Sequence, residues 1–214
     1  MKAIACAVAQ TLLIVSVLPP AIAAQGAPPP VPTEVGGALL AMKVVPAQSG
    51  ATLKVTSPAF TAGGDIPFEN TQYKGNVFPG LSWSKGPAAT KSYAIIMQDP
   101  DAMRQGAPIL HWTMVNIPAT VTKLDAGMTT PPAGAEYGPN IRGANQPYMG
   151  PHTPPGPKHR YHIQVFALDT SIPSDATASY DALLGAMKDH VLASGELIGL
   201  GQAMTSTTTG AATK

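Results

Sequence analysis

The sequence has 214 residues, 13 Lys and Arg against 12 Asp and Glu, a charged fraction of 12%, 23 prolines and 21 glycines. Balanced, sparse charge excludes the basic stripe that a nucleic-acid partner calls for, and gives no polybasic patch for membrane attachment. The proline and glycine content points to a loop-rich, mostly β chain long enough to build its own core.

Residues 1–24 read as a secretory signal peptide. Lys2 gives a basic start, Ile4 to Val17 are almost wholly apolar, and Pro19 and Pro20 precede the small-residue site Ala21-Ile22-Ala23-Ala24. The apolar run is short for a bilayer span of about 20 residues. Cleavage after Ala23 or Ala24 is therefore expected, with export to the periplasm or beyond and no transmembrane segment left. Cleavage removes Cys6, so the mature chain has no disulfide, thiol nucleophile or cysteine-ligated metal. It also removes Lys2, leaving 12 basic residues against 12 acidic ones.

Residues 25–50 form a Pro/Gly-rich arm or linker, in which Gln25 to Pro32 is an extended tether. Within the arm, Leu39 to Val45 fits either an extra edge strand or an ordered arm. The domain is expected over 51–204, followed by a flexible small-residue tail over 205–214.

Thr52 to Thr56 alternates Leu53 and Val55 with polar residues, a strand pattern. Thr61 to Pro79 is turn-rich, and Leu81-Ser82-Trp83 is a short strand with Trp83 facing a core. Ser92 to Met97 is apolar enough for a strand buried on both faces, and it leads into Asp99-Pro100-Asp101 as a turn. Leu110 to Ile117 is the next strand, with His111, Thr113 and Val115 on one face and Trp112, Met114 and Asn116 on the other. Ala119 to Lys158 shows no period, which in a compact domain suggests a functional loop. Arg160 to Leu168 is a clear strand. Ser179 caps a helix whose stripe is Leu183, Leu184, Met187 and Val191, with Gly195 as its stop. Leu197 to Leu200 closes the domain as a short strand.

The polar residues at the strand ends are the candidates for chemistry. Asp99 ends a buried strand, where rigid scaffolds carry polar sites, and an Asp turn cap is the alternative role. Asp101 fits the cap better. His111 lies inside a strand, where a satisfied core histidine is the commoner role. His159 enters a strand after the rigid HTPPGPK connector, beside Arg160.

The runs SPAF, GNVFPGLSW, KSYAIIMQDPDA, LHWTMVNIP, PYMGPHTPPGPKHRYHIQVFALD and MKDHVLASGELIG resemble, in this order, phosphatidylethanolamine-binding proteins of the bacterial Raf-kinase-inhibitor-like branch. The resemblance spans roughly Leu53 to Gly199. It implies a mostly β fold of two antiparallel sheets with a C-terminal helix, and a small anion pocket. It also implies Asp99, His111, Gly150, His159 and Tyr161 as ligand contacts, with Asp101, Pro151 and Tyr148 shaping the pocket. Three positions depart from the family pattern: Met103 stands where DPDAP has its second proline, Phe78 stands where a serine is usual, and His152-Thr153 lengthens the loop.

A small anionic or zwitterionic ligand is the expected partner, with Gly150 approaching an oxygen and Tyr161 donating a hydroxyl. Asp99 would either orient a histidine or accept a ligand ammonium. A protein partner bound through the Pro-rich loop, as in protease or kinase inhibition, is the alternative. An enzyme ranks below both, because the sequence has no HExxH, no GxSxG and no cysteine nucleophile. No catalytic residue, metal ligand or cofactor is expected.

Overall fold

The computed structural model describes residues 34–204. The expected signal peptide, the tether Gln25 to Pro32 and the tail at 205–214 lie outside the described residues.

Among the described residues, nine strands form two sheets. The larger has the order β1-β9-β8-β4-β5-β7 and the smaller β2-β3-β6. In sequence these are β1 (Ala51–Thr52), β2 (Val55–Thr56), β3 (Leu81–Trp83), β4 (Ser92–Arg104), β5 (Ala107–Pro118), β6 (Lys123–Leu124), β7 (Glu136–Tyr137), β8 (His159–Leu168) and β9 (Val191–Gly201). All pairings are antiparallel except β1 with β9. The mostly β, two-sheet architecture is as expected.

The strand expected over Thr52 to Thr56 is divided. Its first half pairs with β9 and its second with β3, so the chain passes from one sheet to the other at Leu53-Lys54. Gly195 permits that crossing: a Cβ there would lie 2.0 Å from the Leu53 carbonyl oxygen. Gly195 is therefore a mid-strand residue of β9, not a helix stop. The helix α2 (Tyr180–Met187) ends sooner than its apolar stripe suggests. Ser179 caps it by accepting from the Ala182 amide, and Asp189 turns the chain at φ 64° so that Val191 begins β9.

Alternation in the strands divides the core. One cluster fills the space between the sheets and holds Trp83, Tyr93, Met97, Trp112, Met114, Tyr161 and Ile163. The other lies on the far face of the large sheet and packs Ile96, Phe166 and Leu168 against Leu183 and Met187 of α2.

The far face also carries a buried polar row: Gln98, His162 and Gln164, with Glu196 beside them. The arm covers it as a 3-10 turn at Gly37–Leu39 and a helical turn α1 (Ala41–Val44), not as an edge strand. The Ala41 amide donates to Gln98 Oε1 at 2.9 Å and the Met42 amide to Gln164 Oε1 at 2.8 Å. Glu34 lies 2.5 Å from His162 Nε2, and Glu196 accepts from Nδ1 at 2.8 Å. The two arm amides and Glu196 supply hydrogen-bond partners to Gln98, Gln164 and His162, groups that would be costly to bury alone. No helix among the described residues is long and apolar enough to cross a membrane.

Candidate functional site

Two irregularities in the β4–β5 ladder build the site. Met97 pairs with Trp112 and Gln98 with Leu110, so His111 is an extra residue in β5. Farther along, Asp99 pairs with Ile109 and Met103 with Pro108, so Pro100 to Ala102 bulge from β4. Bulges disrupt the ladder locally and re-aim side chains. The simple alternation that opposes His111 to Trp112 therefore fails. His111 instead meets Tyr161 edge to face at 5.0 Å, and Tyr161 belongs to the core that holds Trp112. The DPDA segment is part of a strand, not a turn beyond it, and proline suits the bulge because it has no amide to donate.

His159 begins β8 beside these bulges. Asp99, His111 and His159 line one cavity of about 440 Å³, with Ala102, Ile109, Ile141, Met149 and Pro154 as apolar wall and Gln72, Arg142 and His152 at its polar side. That volume suits a small ligand.

Asp99 is engaged on both oxygens. Oδ1 accepts from the Asp101 and Ala102 amides at 2.9 and 3.1 Å, and Oδ2 accepts from His159 Nδ1 at 2.8 Å. Both the turn-cap role and the histidine-orienting role are thus filled by one carboxylate. The hydrogen bond from Asp99, reinforced by its charge, raises the His159 pKa above the ordinary 6.5 despite partial burial. Asp99 therefore favours the charged form of His159, whose ring lines the cavity with Nδ1 turned to the carboxylate.

His111 is only 4% exposed, and its Nδ1 lies 3.1 Å from the Met149 carbonyl oxygen and 3.2 Å from that of Gly150. Burial lowers its pKa and Arg142 pushes the same way, against the pull of Asp99 and the two carbonyls. The two histidines are driven apart in charge by their surroundings.

Gly150 and Tyr161 stand behind the cavity wall. The Gly150 amide donates to Asn76 Oδ1 at 2.7 Å, so the expected amide-to-ligand contact lacks its donor. Glycine is needed there because a Cβ would lie 2.2 Å from the Asn70 carbonyl oxygen. The Tyr161 ring is fully buried, and its hydroxyl accepts from the His152 amide at 3.3 Å and shares a bond with Thr153 Oγ1 at 3.0 Å. Burial and the Asp99 charge keep that hydroxyl protonated. Tyr161 therefore supports the His111 ring, the loop and Asp99, and is not among the residues that line the cavity.

The shaping residues have visible anchors. Asp101 accepts from the Arg160 amide at 2.8 Å and from Nε at 2.9 Å, with a further contact to the other guanidinium nitrogen. The Tyr148 hydroxyl donates to the Asn70 carbonyl at 2.9 Å, and its ring meets Phe78 and Trp112. The Pro151 carbonyl accepts from the Gln72 amide at 2.9 Å. Phe78, one of the departures from the family pattern, is thus a core aromatic.

Residues 70–76 brace the loop, and spacing gave no signal for them. Gln72 Nε2 donates to the Gly150 carbonyl at 2.7 Å while its Oε1 accepts from Arg142 at 2.8 Å. Tyr73 stacks on His152 with centroids 4.7 Å apart. Arg142 came from the stretch without period, whose length was the one sign of a functional loop. Among the described residues, no group of three or more His, Cys, Asp or Glu is arranged to hold a metal ion.

The family model described as "Phosphatidylethanolamine-binding protein" matches residues 56–202. A UPF0098 protein of Methanothermobacter thermautotrophicus is 37% identical over 152 residues, covering 69% of this chain and 97% of its own length. The UPF0098 protein YbcL of Escherichia coli is 47% identical over 120 residues, covering 53% of this chain and 64% of its own. The crystal structure of E. coli YbcL, described as a member of the mammalian PEBP family, superposes with a TM-score of 0.65 at 33% identity. That superposition covers 72% of this chain and all of that one.

Proposed function

The chain belongs to the phosphatidylethanolamine-binding protein family, and from that membership we propose that it is an exported binding protein whose cavity takes a phosphate-type anion or a phospholipid head group. The observation that carries this reading is the Asp99–His159 pair at 2.8 Å, which favours the charged form of a histidine lining the cavity. A charged donor to a phosphate oxygen contributes about 1.5–3 kcal/mol. Arg142 supplies a second cation at the rim, held toward the cavity by Gln72. With Asp99 bonded on both oxygens, its charge serves the histidine first and a ligand ammonium second.

The leader-like residues 1–24 support a periplasmic or secreted location. The site acts by binding: its groups orient and neutralise an anion.

Calorimetric titration with phosphorylethanolamine tests the reading. Saturable binding at one site is expected, with Arg142→Ala weakening it about threefold, because an exposed charge contributes up to about 1 kcal/mol. Absence of any heat or chemical-shift change on titration would reject it.

A further inference from the structure

We propose that the pocket selects anions that bring a hydrogen-bond donor of their own, the simplest being phosphate with a P–OH group, because His111 faces the cavity as an acceptor. This rests on the reading of the cavity as an anion site and adds to it which anions enter.

Two carbonyls fix the proton on His111 Nδ1. Met149 and Gly150 present oxygens at 3.1 and 3.2 Å, and a carbonyl oxygen only accepts. Nδ1 must therefore carry a proton. In a neutral imidazole with Nδ1–H, Nε2 carries a lone pair. Burial favours that neutral form.

The facing groups are Asp99 from β4, His159 from β8 and Arg142 from the loop, and they leave Nε2 without a partner. Asp99 is bonded elsewhere, His159 uses Nδ1 on Asp99, and Arg142 donates to Gln72. The nearby Tyr161 hydroxyl is held by His152 and Thr153. Among the described residues, His111 makes its side-chain hydrogen bonds through Nδ1 alone.

One wall of the cavity thus donates with a positive charge and another accepts. An anion with acceptor oxygens only, such as sulfate or a phosphodiester, places an oxygen against the Nε2 lone pair. Inorganic phosphate keeps at least one P–OH at neutral pH and satisfies both histidines. A head group can meet the same need with its ammonium. The shared chemistry is a donor beside an anionic oxygen.

The test is calorimetry at neutral pH with inorganic phosphate, sulfate, dimethyl phosphate and glycerophosphorylethanolamine, on the full chain and on His111→Asn. Phosphate is expected to bind the wild type on the order of tenfold more tightly than sulfate or dimethyl phosphate, the effect of one unmet polar group. If glycerophosphorylethanolamine also outbinds dimethyl phosphate, an ammonium serves as the donor, which again supports the acceptor role. In His111→Asn the amide nitrogen keeps a donor for the carbonyls, but the shorter side chain ends before the Nε2 position and presents no acceptor there, so the phosphate-to-sulfate ratio should fall toward one. Equal wild-type affinity for phosphate and sulfate overturns the inference and leaves the anion site standing. Binding of none of the four overturns both. If His111→Asn does not fold, the wild-type ratio decides alone.

Discussion

Asp101→Ala is expected to lower the unfolding free energy by about 3 kcal/mol, the lower end for breaking a buried ion pair. For a domain of this size that corresponds to a fall of roughly 6–12 °C in the thermal midpoint. The Asp101 side chain is 4% exposed and that of Arg160 17%, so the guanidinium has limited access to replacement water. The carboxylate also accepts the Arg160 amide, the second residue of β8. The same pair carries a pH signature. Burial raises the Asp101 pKa, but the bonds and charge of Arg160 outweigh it and hold the value below the usual 3.8. A depressed folded-state pKa gives stability that is present above the unfolded value and lost as pH falls through the folded one. Wild type and variant should therefore converge in strong acid, as followed by circular dichroism melts across pH.

Asp99→Asn is expected to weaken phosphate binding about tenfold at neutral pH, and to cease weakening it in mild acid. The asparagine retains an oxygen for the Asp101 and Ala102 amides but no longer raises the His159 pKa. Above the ordinary histidine value of 6.5 the ring then becomes neutral and loses its charge-assisted bond. Below that value both proteins hold a charged ring, and the variant lacks the adjacent negative charge that opposes an anion. Its affinity should match or exceed that of the wild type there. Calorimetry at several pH values checks this, and parallel curves over the whole range would exclude an electrostatic role for the pair. His159→Ala should lose at least the same tenfold, without the acid recovery.

The sheets were legible because apolar alternation and β-branched runs mark strands wherever one face is buried. Arg160 to Leu168 stands within one residue of its expected bounds, and Ser92 begins β4 as expected, although that strand runs on to Arg104. The bulges were not legible. An extra residue at His111 leaves no compositional trace, yet it changes which face the side chain meets. Helix α2 ended early for a similar reason: Val191 fits a helical stripe equally well as a strand's first buried residue.

At the site, motif residues carried Asp99, His111 and His159 to one cavity. Gly150 and Tyr161 belong to the same motifs but support the wall. A glycine required by the Asn70 carbonyl and a glycine required by a ligand look alike in sequence. Gln72 and Arg142 reach the cavity through long-range contacts of irregular backbone, which no local pattern encodes.

In crystals grown in phosphate, one phosphate is expected in the cavity, with an oxygen within about 3 Å of His159 Nε2 and another at the same distance from His111 Nε2. A cavity containing only water at high phosphate, or an anion seated away from both histidines, would contradict it.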